Sequence, residues 1–346
     1  MPLRPLYGHE TARAHLSGAI RAGRLPQALL FEGPRGVGKQ RLALWLAQAL
    51  LCEQGETGEA CETCRSCRLV STLSHPDLHW FIPLEPNKKG SDRDKQVEQA
   101  EAALADELAL RRERPLYETP SGMAVHSIAA VRLLQRRLIL TPAIGRRKVF
   151  IIGDAERLIP QRANPEAANA LLKALEEPPG DTVFVLTATE PDALLPTILS
   201  RVVRVRLHRV PDSVVTSFVH NELPDLPNAD RVVDEAEGSI GRVLAHTGPS
   251  VIGKGDAAAA FLATRRGNAV DRYAAALRQA PFQARGGFTD LLDGLLERLR
   301  REARAGGETR RIADAIALVM EAREHAQGNV NPQLLAAVLA DDMAEA

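Results

Sequence analysis

The chain has 346 residues, 45% of them hydrophobic, and its 44 Lys and Arg balance 44 Asp and Glu. That length suits two or three domains, and that apolar share excludes an intrinsically disordered chain. A net charge of zero argues against a protein that grips nucleic acid alone, although a neutral chain can sit in a DNA-handling complex whose basic surface comes from several subunits.

Residues 9–22 carry Ala12, Leu16, Ala19 and Ile20 at helical spacing. Ala28-Leu29-Leu30-Phe31 is a short apolar run that predicts a strand, and a helix is predicted from Lys39 to Leu51. Between them lies Gly33-Pro34-Arg35-Gly36-Val37-Gly38-Lys39-Gln40. A strand, a glycine-rich turn and a helix are the context in which G-x-x-x-x-G-K cradles phosphate, with backbone N–H groups and Lys39 as the donors. The pattern then asks for Ser or Thr, whose hydroxyl holds Mg²⁺. Gln40 stands there instead. Gly33, Gly36, Gly38, Lys39 and Gln40 are therefore the candidate nucleotide-binding residues, and whether ATP binds is left open.

The four cysteines follow as Cys52-x₈-Cys61-x₂-Cys64-x₂-Cys67. Four thiolates with two C-x₂-C steps suit a structural, tetrahedral Zn²⁺ site. An iron–sulfur cluster and four free thiols are the alternatives, and His75 is better read as part of the His75-Pro76-Asp77 turn. Residues 81–125 are polar and charged, with Lys88-Lys89 and Arg111-Arg112-Glu113-Arg114, and read as a solvated insertion with a helix near 93–112.

Periodicity returns with Ile128, Val131, Leu134 and Leu138, spaced for a helix. Val149-Phe150-Ile151-Ile152 and Val183-Phe184-Val185-Leu186 read as buried strands, separated by a helix from Asn169 to Glu177 that stops at Pro178-Pro179-Gly180. Strands alternating with helices predict a parallel sheet covered on both faces, an α/β domain. The metal-binding acid of an NTPase should follow the strand at 149–152, but Gly153 occupies that position and Asp154 the position of the catalytic Glu. No Mg²⁺ site is expected. In an alternative register Asp154 is the metal ligand and Glu156 the base.

After residue 210 the strand signal ends. Residues 213–250 read as a small helical unit, and helices are predicted at 256–264, 269–279, 288–304, 309–326 and 332–343. The longest apolar stretch, Leu42 to Cys52, is broken by Gln48 and falls short of the roughly 18–20 residues that span a bilayer. Met1-Pro2-Leu3-Arg4 lacks the apolar core of a secretion signal. A cytoplasmic protein with no membrane partner is the expectation.

Several of these stretches are similar to one family. Residues 28–39 resemble the phosphate loop of bacterial clamp-loader subunits, and Asn169-Ala170-Leu171-Leu172-Lys173-Ala174-Leu175-Glu176-Glu177-Pro178-Pro179 resembles the specific N-A-L-L-K-x-L-E-E-P-P motif of that family. Leu195-Pro196-Thr197-Ile198-Leu199-Ser200-Arg201 matches the region carrying a trans-acting arginine. Gly238-Ser239-Ile240-Gly241-Arg242 resembles the second sensor motif, and Asn329-Val330-Asn331-Pro332 the C-terminal helix motif. Val202 replaces the family's Cys after Ser-Arg, and Gln27 its His before the first strand.

The resemblance implies an AAA+ P-loop domain over 1–209 with the zinc module at 52–67 and the polar insertion near 81–125. A small helical lid domain over 210–250 and an all-α collar domain over 251–346 would follow. Gln40 and Gly153 favour the delta-prime branch over the ATP-hydrolysing tau/gamma branch, which is the alternative. A delta-prime chain would be a non-hydrolysing stator in a hetero-pentamer with tau/gamma and delta, replisome-associated within DNA polymerase III. That complex would load the sliding clamp on primer–template DNA. Arg201 would act as an arginine finger at a neighbour's ATP site, and Arg242 would lie at the chain's own nucleotide site.

Overall fold

A computed structural model describes residues 3–85, 92–113, 124–158, 165–245, 251–280, 288–304, 306, 309–326 and 330–345. Lys88-Lys89, Arg114 and Asn329, singled out above, lie outside the described residues. The chain divides into two compact units, one built from the described residues of 1–119 and 124–246, the other from those of 247–346.

The first unit opens with α1 (Glu10–Arg21), β1 (Ala28–Glu32), α2 (Lys39–Leu51), α3 (Arg65–Ser71) and β2 (Leu78–Phe81). It continues with α4 (Arg93–Glu113), α5 (Ile128–Leu138), β3 (Lys148–Ile152), α6 (Glu166–Glu176), β4 (Thr182–Ala188), α7 (Pro196–Leu199) and β5 (Val203–Arg206). The strands form one sheet in the order β2-β3-β4-β1-β5, and every pairing is parallel. β1, β3 and β4 are buried along their whole length, as their continuous apolar runs require when helices cover both faces. Phe31, Phe150, Phe184 and Leu42 lie at the centre of the core. Because β4 lies between β1 and β3, the ends of all three strands reach the start of α2.

The insertion is not simply a solvated segment. α4 buries Val97, Ala100 and Leu104 and packs on α5, while Asp94 pairs with Arg136 and Glu101 with Arg137 at 2.7 Å. Only a narrow apolar stripe is spent on this contact, so the helix looks polar in sequence although it belongs to the fold.

A small helical cluster closes this unit: α8 (Asp212–Glu222), α9 (Ala229–Ala236) and α10 (Ile240–Ala245). Its own apolar centre includes Val215, Phe218, Val233, Ala236 and Val243. Tyr7 packs edge-on against Phe218, with ring centroids 5.2 Å apart.

The second unit contains helices only, among the described residues: α11 (Val251–Ala263), α12 (Ala269–Leu277), α13 (Thr289–Arg304), α14 (Thr309–His325) and α15 (Pro332–Glu345). Leu292, Leu295, Leu299, Ala315, Val319 and Leu339 form its core. Among the described residues no helix is long and apolar enough to cross a membrane.

Candidate functional site

The loop between β1 and α2 has its glycines in backbone conformations that side chains avoid: φ is 77° at Gly36 and 102° at Gly38. Lys39, buried on the first turn of α2, donates to the carbonyls of Gly33 (2.8 Å) and Pro34 (2.9 Å) and to Thr189 Oγ1 (3.0 Å). All three of its N–H bonds are thus engaged within the protein. Burial pulls the Lys39 amine down to about 8, against the opposing pull of Glu156 and Asp154. Thr189 follows β4 directly, and its backbone N–H donates to Glu156 at 3.0 Å. Burial, then Asp154, pushes the Glu156 carboxyl up to about 7.

Gln40 points across the sheet end toward Gly153, the first residue after β3. Its amide oxygen accepts from the Trp80 indole N–H at 3.1 Å, and its amide nitrogen donates to Asp154 at 3.4 Å. A β-carbon on Gly153 would lie 2.9 Å from both amide heteroatoms. The place where a hydroxyl and a carboxylate would share Mg²⁺ is therefore filled by an amide, and these residues do not fit the ion. His126, fully buried, donates to the Gly153 carbonyl at 2.7 Å, and burial pulls its imidazole down to about 4.

The helical cluster meets the loop through glycines. Gly241 N–H donates to the Gly36 carbonyl at 2.8 Å, and a β-carbon on Gly241 would lie 2.5 Å from Gly36 Cα. Arg242, one residue on, pairs with Glu237 at 2.8 Å, and Arg209 donates to the same carboxylate at 2.5 Å. Gly241 Cα and the Arg242 backbone N both lie within 3.5 Å of where a β-carbon on Gly36 would stand. Burial raises and the two arginines lower the Glu237 carboxyl, which ends below its usual range.

Arg201 follows α7. Its guanidinium donates to the Thr197 carbonyl at 2.8 Å and pairs with Glu176 at the end of α6, while remaining partly exposed. The stretches 169–179 and 195–201 thus converge: α6, which ends at Glu176, holds the arginine in place. Arg204 and Arg206 on β5 both bind the buried Glu32, at 2.7 and 3.1 Å.

Cys52, Cys61, Cys64 and Cys67 place their sulfurs within 4.8 Å of one another, with Cys52–Cys64 and Cys61–Cys67 at 4.0 Å. Zn–S bonds of about 2.3 Å in a tetrahedron put sulfurs roughly 3.8 Å apart. N–H groups of Gln54 and Cys61 point at Cys52, that of Cys64 at Cys61, and that of Cys67 at Cys64, all at 3.3–3.4 Å. The donor set and its spacing fit one soft divalent ion. The Cys64 N–H helps pull the Cys61 thiol down to about 6, whereas burial pushes Cys52 and Cys67 up.

Sequence reasoning found the loop, Gln40, Gly153 and the cysteines, but not Trp80 or Thr189. Thr189 lies three residues past the predicted strand at 183–186, where Thr187 is the first polar residue, so its role could not be singled out. Trp80 lies on an edge strand too short to register.

The parallel sheet, its strand order, the phosphate loop and the helical cluster over it define an AAA+ P-loop fold. A family model described as DNA polymerase III, delta subunit matches residues 8–211, and the chain belongs to that family. It is 34% identical over 200 residues to a Pseudomonas aeruginosa protein named DNA polymerase III subunit delta', covering 58% of this chain and 48% of that one. It is also 34% identical over 194 residues to a Mycobacterium tuberculosis protein named DNA polymerase III subunit gamma/tau, covering 56% of this chain and 26% of that one. The chain thus spans between a quarter and a half of the length of these curated relatives. A Thermotoga maritima structure described as a DNA polymerase III gamma subunit-related protein is similar at 17% identity and a TM-score of 0.48, covering 96% of this chain and 98% of that one. The likeness to the clamp-loader family and its delta-prime branch therefore holds.

Proposed function

We propose that the chain is a delta-prime-type subunit of the DNA polymerase III clamp loader, a stator that does not hydrolyse ATP. The observation that carries this reading is the pair Gln40 and Gly153, which removes both protein ligands of a phosphoryl-transfer metal ion. Lys39 supports it, because its donors are turned onto protein acceptors. The loop glycines Gly33, Gly36 and Gly38 then serve as scaffold.

Arg201 is the group this subunit would offer to a neighbour. A guanidinium held by Glu176 and the Thr197 carbonyl, yet still partly exposed, is suited to stabilise charge on another subunit's γ-phosphate. The three proposed domains are the AAA+ part over 1–209, the lid over 210–250 and the collar over 251–346. Tau/gamma and delta subunits are the proposed partners, and clamp and primer–template DNA are reached through the complex. Cys52, Cys61, Cys64 and Cys67 would hold a structural zinc that fixes the segment between α2 and α3.

The test is reconstitution with tau/gamma and delta. Arg201→Ala should lower ATP hydrolysis of the assembled complex by about 10³-fold at the affected site while leaving assembly intact. The same turnover in variant and parent complexes would refute the finger. ATP hydrolysis by the isolated chain that Lys39→Ala abolishes would refute the stator.

A further inference from the structure

The non-hydrolysing reading leaves open why two positions changed together, and what stands where the ion would be. We propose that Gln40 and Gly153 form one inseparable unit, an amide plug in the cation position, held from the sheet edge by Trp80. This rests on the stator reading and adds that the metal position is filled by the chain itself.

Three observations converge. First, Gly153 has no backbone reason to be glycine, since its φ is not among the positive values that exclude side chains. What excludes a β-carbon there is the Gln40 amide, 2.9 Å away. Second, that amide is not free to swing aside. It is buried, with its oxygen bonded to Trp80 Nε1 and its nitrogen facing Asp154. Third, Trp80 is itself fixed: the Arg111 guanidinium lies 5.7 Å from its ring centroid, and Arg111 pairs with Glu107 one turn back at 2.7 Å. The α4 insertion therefore reaches the nucleotide-site position through Arg111, Trp80 and Gln40.

A Thr or Ser at position 40 would be too short to meet Trp80, and an Asp at position 153 would collide with the longer Gln40. Each residue makes the other's ordinary partner unfavourable. A single buried amide, already bonded on both of its heteroatoms, stands where an ion-binding hydroxyl and carboxylate would meet, so any nucleotide taken up there is bound without help from a divalent cation.

A double-mutant cycle on the full chain tests this, read by thermal unfolding. Gly153→Ala should lower Tm by several degrees in the parent, because the methyl overpacks the plug. In the Gln40→Ala background the same change should leave Tm unaltered or raise it, because the room is then available and alanine restricts the unfolded chain. Equal shifts in the two backgrounds would overturn the proposal. If Gly153→Ala alone does not fold, recovery in the double variant supports the plug, and failure of both refutes it. Thermal shifts of the parent with ATP should be equal in Mg²⁺ and in EDTA, and a larger shift in Mg²⁺ would overturn the cation-free site. ATP turnover by the isolated parent would count against the stator reading while leaving the cycle's coupling intact, so the two failures are distinguishable.

Discussion

Asp77 precedes β2 and is buried at 2% exposure, yet its carboxylate serves the loop between α5 and β3. It accepts N–H bonds from Ala143 at 2.5 Å on one oxygen, and from Ile144 at 2.9 Å and Gly145 at 3.1 Å on the other. That loop also carries the exposed side chains of Ile139, Leu140 and Ile144, so its shape rests on polar anchoring rather than on burial. Asp77→Asn keeps the size and removes one acceptor oxygen. Turned to serve Ile144 and Gly145, its NH₂ faces the Ala143 N–H, donor against donor. Losing one charge-assisted bond and setting two donors face to face should cost about 2–4 kcal/mol. For a unit of this size that is a fall in Tm of roughly 5–15 °C.

The same group gives a pH signature. Burial raises the Asp77 carboxyl, but the three N–H groups outweigh it and hold it below its usual range. A depressed folded value means that the stabilisation is present above the unfolded value of about 3.9 and is lost as pH falls through the folded one. Calorimetry of parent and Asp77→Asn from pH 7.5 down to acid should show a gap that closes at the acid end. A variant melting within about 2 °C of the parent at pH 7.5, with the same acid slope, would refute the anchoring argument.

Glu156 should behave in the opposite sense. With its folded value raised to about 7, its contribution is fully present below the unfolded value of 4.5 and is lost as pH rises through 7. Glu156→Gln should therefore gain in Tm relative to the parent between pH 5 and 8, and a constant gap across that range would count against the burial argument. Elemental analysis should find about one zinc per chain on the four-thiolate argument. Cys64→Ser should lose the metal and lower the Tm of the parallel-sheet unit, whereas a metal-free, fully folded parent would sink the zinc site.

Much of the sheet could be read in advance because β1, β3 and β4 are buried on both faces, and such strands appear as unbroken apolar runs. The edge strands are fainter in sequence for the same reason inverted. β5 alternates Val203 and Val205 with Arg204 and Arg206, whose partner Glu32 lies elsewhere in sequence. β2 contains His79, whose ring is tilted 38° against that of Phe150 with centroids 4.6 Å apart, a contact that local periodicity does not encode. α4 reads as solvated because its buried apolar stripe is only Val97, Ala100 and Leu104, and its fourth buried residue is the charged Arg111. At the site, the spacing of Gly33, Gly38 and Lys39 fixed the loop. The seating of Gly241 against the loop was not readable, since it depends on how the helical cluster docks and not on local spacing.

The crossing of Gly36 and Gly241 bears on how such loops persist. Gly36 has Gly241 Cα and Ser239 Oγ in the way of any β-carbon, so its smallness is demanded by packing whether or not a phosphate ever arrives. A bulkier residue there would clash with the helical cluster with or without a bound phosphate. The glycine at position 36 is thus accounted for by its neighbours, and by itself it does not report whether the loop holds a nucleotide.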